Sequence, residues 1–135
     1  MKIALIALYD IRSFGIRILH SVLNDAGFYP HSIYFHENME IDTYYTEKEI
    51  DILIEKLKEL EPDLVAFGVR SPLFQLYKKI YLKIKAELDC RVLIGGHHPT
   101  IMPEESIKYA DILCIGEGEK PLLEICQRIS TGRTI

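Results

Sequence analysis

Five short apolar runs, at residues 2–8, 29–36, 63–69, 91–94 and 111–115, dominate the sequence. In Ile3-Ala4-Leu5-Ile6-Ala7-Leu8 the apolar residues follow one another without alternation, as they do in a strand covered on both faces. The segments between the runs are of helical length. Strands buried on both sides need a layer on each side, and alternating strands and helices supply those layers around a parallel sheet.

The intervening segments fit that role. Residues 14–26 put Gly15, Ile18, Leu19, Val22, Leu23 and Ala26 on one helical face, and Gly27 follows as a stop. Thr46-Glu47-Lys48-Glu49 reads as a capping box opening a helix with Ile50, Leu53, Ile54, Leu57 and Leu60 inward, closed by Pro62. Residues 72–88 align Leu73, Leu76, Tyr77, Ile80, Ile84 and Leu88. A short helix over 103–109 starts on a proline, and a last helix covers 119–129, followed by a polar tail. Pro30 puts the second strand near an edge, and residues 37–45 form a loop long enough to suggest a functional role. The expectation is one α/β domain over 1–135, a doubly wound five-stranded parallel sheet of flavodoxin-like order 2-1-3-4-5.

Charge and composition exclude several partners. A net charge of −4, with Lys and Arg scattered along helices, gives no nucleic-acid footprint. The apolar runs are too short for a membrane span, and Met1-Lys2 leads straight into the first strand rather than a signal peptide. A cytoplasmic location is therefore expected. Cys90, Cys114 and Cys126 are widely spaced and form neither a zinc nor an iron–sulfur motif, so they read as buried thiols.

The loops that would end the strands reject the usual ligands of such a sheet. Tyr9-Asp10-Ile11-Arg12-Ser13-Phe14-Gly15 lacks the G-x-G-x-x-G of a dinucleotide site, and no Gly-rich loop carries the lysine of a Walker motif. That loop is also too poor in Ser, Thr and Gly for a flavodoxin-type phosphate site. The third strand ends in Gly68-Val69-Arg70, not in the aspartate of a phospho-receiver. What remains is Asp10-x-Arg12-x-x-Gly15 after strand one, Ser71-x-Leu73 after strand three and Gly95-Gly96 after strand four. Two glycines at a buried strand end admit something close to the backbone.

This set resembles the cobalamin-binding domain family, whose pattern is D-x-H-x-x-G, S-x-L and G-G. Gly95-Gly96-His97-His98-Pro99-Thr100, Pro103-Glu104 and Gly116-Glu117-Gly118-Glu119 extend the resemblance to the N-terminal domain of cobalamin-dependent radical SAM enzymes, over essentially the whole chain. The resemblance implies a Rossmann-like cobalamin-binding fold, with the corrin's dimethylbenzimidazole tail in a groove. Asp10, Arg12, Ser13, Gly15, Ser71, Leu73, Gly95, Gly96, His97, Gly116 and Glu117 are the cofactor-binding candidates it gives. It also implies that 1–135 is the N-terminal part of a longer parent chain. That chain would carry a radical SAM barrel, which holds S-adenosylmethionine and a 4Fe-4S cluster and performs methyl transfer or related radical chemistry.

The departure is Arg12, which stands where the family's cobalt-ligating histidine would be. Guanidinium has no free lone pair, so the corrin would be held base-off without a histidine ligand. Two readings stay open: a domain that binds cobalamin and presents it to the barrel, or one that keeps the fold, binds no corrin and shapes an interaction. Individual residues divide likewise. Asp10 orients Arg12 or caps the helix beginning near Ser13; Ser71 touches the tail or caps a helix with Pro72 at its first position; Leu73 is core in either case. Glu117 and Glu119 are an acid–base pair or merely favour a helix N-terminus, and adjacent His97 and His98 fit a polar lid or domain contact better than one metal ion.

Overall fold

A computed structural model describes residues 1–10, 12–35 and 47–135. Its parallel sheet has the order β2-β1-β3-β4-β5, as expected. The strands are β1 (Ile3–Ala7), β2 (His31–Tyr34), β3 (Leu64–Gly68), β4 (Arg91–Gly95) and β5 (Ile112–Leu113). Helices α1 (Phe14–Asp25) and α6 (Glu119–Ser130) cover one face, and α2 (Glu47–Leu60) and α3 (Phe74–Glu87) the other. Two short helices, α4 (His97–Ile101) and α5 (Pro103–Ser106), follow β4. The expected loop at 37–45 and the Thr46 cap lie outside the described residues.

The pleat sorts each strand's apolar residues to the two faces. Ala4, Ile6 and Leu8 pack with Val65, Phe67, Val69, Val92 and Ile94 under α2 and α3, while Ile3, Leu5 and Ala7 pack with Leu64, Ala66, Leu93 and Cys114 under α1 and α6. Helix α1 stops as its sequence requires. Gly27 takes φ +84°, its N–H donates to Asn24 O at 3.0 Å, and Phe28 N–H donates to Leu23 O at 3.0 Å.

Three local readings change. Ser71 does not cap a helix: Ser71–Leu73 is a 3₁₀ turn ahead of α3, and the serine hydroxyl pairs with His98 Nδ1 at 2.9 Å. The strand–loop junction after β4 is instead the helix α4. Pro99 fits there because it is the third residue of the helix, where an N–H would have no intrahelical acceptor. The single helix expected over 103–109 is α5 followed by a 3₁₀ turn at Ile107–Tyr109.

Candidate functional site

At the carboxyl end of the sheet a cleft of about 400 Å³ runs down between the sheet face and helices α1 and α6. Strand register makes its floor. Ala7 lies opposite Gly68, and Gly68 opposite Gly95, so three adjacent strands end on this face with no side chain larger than a methyl group. One row back stand Leu5, Ala66 and Leu93, of which Ala66 and Leu93 also line the cleft. Ile16 and Leu19 of α1, Leu122 of α6 and Cys114 complete an apolar interior. Asp10, Ser13, Arg70, His97, Glu117 and Glu119 supply its polar lining.

Four loops converge on this opening, and backbone bonds fix them. Tyr9, two residues beyond β1, takes φ +53°, a left-handed conformation that costs a non-glycine residue about 1–2 kcal/mol. Its ring compensates by packing edge-on to Phe35, centroids 5.4 Å apart, and its hydroxyl donates to Glu49. Asp10 then accepts from Arg12 N–H at 3.1 Å through its carboxylate, and Ser13 Oγ caps α1 by accepting from Ile16 N–H at 3.3 Å. On the next loops, Val69 N–H donates to Gly95 O at 2.9 Å and His98 N–H to Val69 O at 3.0 Å. Thr100 Oγ1 donates to Gly96 O at 2.8 Å and accepts from Gly116 N–H at 3.0 Å, tying the β4 loop to the β5 loop.

The two glycines of the Gly95-Gly96 pair do different things. A Cβ on Gly95 would touch Cys114 Cβ at an ordinary 3.5 Å, so what its absence leaves is space in the cleft. A Cβ on Gly96 would sit 2.9 Å from Val69 N, and Gly96 has φ +101°. Gly96 is therefore required by the backbone itself, which crosses the β3 loop too closely for a side chain.

Of the residues proposed from sequence, Asp10, Ser13, Gly15, Gly95, Gly96, His97, Gly116 and Glu117 come together around the cleft. Arg12, Ser71 and Leu73 lie outside its lining: Arg12 and Ser71 are exposed, and Leu73 is buried in the core under α3. Ala7, Gly68, Arg70, Cys114 and Gly118 also line it, although none belongs to the candidates that the sequence motifs give. Ala7 and Gly68 stand inside apolar runs, followed by Leu8 and Val69, so only their register across the sheet sets them apart.

His97 lines the cleft, whereas His98 is buried against Phe74. Burial pushes the Cys114 thiol upward, with the Glu119 carboxylate adding to the effect, so it meets the cleft as a neutral, weakly polar surface. Among the described residues no group of three His, Cys, Asp or Glu side chains could hold a metal ion. Nor is any described helix long and apolar enough to cross a membrane.

Fold and cleft together fit an α/β domain with room for a small molecule at the carboxyl ends of its strands. The family model of the B12 binding domain matches residues 3–126, and the chain belongs to that family. No curated protein matches the chain. The cofactor is thus cobalamin, and the cleft suits one part of it. Its volume and apolar interior fit a flat aromatic tail, not a whole corrin, and the polar lining fits the ribose-phosphate link to that tail.

Proposed function

We propose that this domain holds cobalamin by its nucleotide tail, with the benzimidazole between the sheet and helices α1 and α6 and the corrin outside, above the strand ends. The observation that carries this reading is the register-aligned row Ala7, Gly68 and Gly95, which leaves a smooth floor at one end of one sheet face only. Ile16, Leu19 and Leu122 would clasp the ring, and Cys114 would close the far wall. Asp10, Ser13, Arg70, His97, Gly116 and Glu117 would meet the polar link at the mouth; Gly96 and Thr100 would act by holding the loops in place.

Bound cobalamin supplies a cobalt centre able to carry a methyl group. With Arg12 at the position of the family's histidine, this chain offers no imidazole from that loop, so the cofactor would be held base-off without a histidine ligand from it. Presentation of the other face to a radical SAM barrel in the same parent chain, for methyl transfer or related radical chemistry, is the role the G-G-x-H-x-T and G-E-G-E series supports.

Mixing the domain with hydroxocobalamin and recording the visible spectrum after desalting tests this directly. Co-elution with a base-off spectrum is the expected result, and an Arg12→His variant should then show changed cobalt ligation. Colourless, folded protein would favour the other reading that Arg12 permits, a domain that keeps the fold without its corrin.

A further inference from the structure

The cleft is apolar inside and polar at its mouth. Every buried residue of its lining is apolar apart from Cys114, whose thiol burial keeps protonated. Backbone groups around the interior are already paired: Phe35 N–H donates to Ala7 O, Val69 N–H to Gly95 O and Cys114 N–H to Ile94 O, each at 2.9 Å. Half-buried Leu19 reaches across from α1, its Cδ2 3.5 Å from where a Cβ on Gly118 would stand. The charged and hydroxyl side chains sit further out. Arg70, His97 and Glu117 are exposed, and Asp10, Ser13 and Glu119 half-buried. Asp10 and Ser13 already accept from Arg12 and Ile16 N–H, and Glu119 opens α6, which has no side-chain cap. Hydrogen-bonding capacity is thus gathered where the phosphate link would pass, and is scarce where the base would lie.

We propose that the cleft sorts corrinoids by their lower base, taking benzimidazoles and rejecting purines. The inference rests on the tail-in-cleft reading above. Dimethylbenzimidazole and adenine are fused rings of similar size, so volume does not separate them; hydrogen bonding does. Off cobalt, the benzimidazole has no N–H donor and a lone ring nitrogen as acceptor, a group that a weakly donating thiol can serve. Its methyl groups gain from apolar walls. Adenine brings an amino group and further ring nitrogens. Inside the cleft these meet neither a polar side chain nor a free backbone group, and a buried polar group left unpaired costs affinity. Corrin and phosphate are common to both ligands, so the base alone decides between them.

Three probes test this on the domain: hydroxocobalamin, its analogue with adenine as the lower base, and cobinamide, which has no nucleotide tail. Dissociation constants are corrected for each ligand's own base-off equilibrium, measured free in solution. The wild type should hold the benzimidazole form at least about tenfold more tightly than the adenine form, the effect of one unpaired buried group. Leu19→Gln, which brings an amide to the wall, should cut that ratio by about threefold or more. The ligands' own equilibria cancel in that comparison, and the wild-type ratio is decisive even if the variant does not fold. Equal corrected affinity for the two bases, or a folded Leu19→Gln with an unchanged ratio, would overturn the proposal while cobinamide still binds more weakly than either. Cobinamide binding as tightly as both would instead defeat the tail-in-cleft reading, and failure of all three to bind would defeat the cobalamin reading itself.

Discussion

The two faces of the sheet share the same strands and differ at one end. Under α2 and α3 every alternate position is filled: Phe67 meets Tyr77 edge-on at 5.1 Å, Phe74 stacks on Tyr77 at 6.0 Å, and Tyr109 closes on Phe74 at 6.1 Å. Under α1 and α6 the layer begins with Ile3, Leu5 and Leu64 and tapers to Ala7, Gly68 and Gly95 at the carboxyl ends. The cleft is made by leaving side chains out of one face while the other bears the packing. That division lets the site be open without a loss of the whole core.

The largest effect is expected on the filled face. Tyr77→Ala should cost about 3–5 kcal/mol of unfolding free energy, because the ring is fully buried and its hydroxyl donates to Tyr109 O. Denaturant midpoints measure it. Gly96→Ala comes next, at about 1–3 kcal/mol, since the left-handed backbone and the Val69 contact both resist a Cβ. Its cobalamin binding should fall in step with stability, not ahead of it.

Titration touches both faces more weakly. Burial pushes the Cys126 thiol up to about 12 on the open face, and raises Tyr77 on the filled one. An unfolded chain releases the thiol proton near pH 9, while the native state retains it, so stability is full below that pH and falls as the pH rises toward 12. The slope is at most about 1.4 kcal/mol per pH unit for one thiol, and Cys126→Ala should flatten it. Gly68→Ala should give the smallest change and the opposite sign. Its Cβ would meet Ile16 Cδ1 at an ordinary 3.7 Å, so a gain of about 0.5–1 kcal/mol is expected from replacing a strand glycine, together with weaker cobalamin retention.

Much of this was legible in the residues. Unbroken apolar runs and helical spacing carry the parallel sheet and its order, and Gly27 marks the end of α1 in the sequence as in the structure. The loop glycines and Asp10, Ser13 and Glu117 were legible because polar or flexible residues just after a buried strand stand at the carboxyl edge, where such sheets meet their ligands. Ala7, Gly68 and Cys114 were not, because a small residue acts only through its register neighbours, and pairing between distant strands is a tertiary fact. Ser71 looked like a helix cap because its natural competitor, the His98 ring, lies 27 residues away in the chain.

The most direct test of the cleft is the retention of hydroxocobalamin by Gly68→Leu beside the wild type, with far-UV circular dichroism to verify the fold. A leucine there points its side chain from the floor into the open face and leaves the filled face untouched. Coloured wild type and a folded, colourless variant are the predicted result. A folded Gly68→Leu domain that keeps cobalamin as well as the wild type would contradict a tail bound between the sheet and helices α1 and α6.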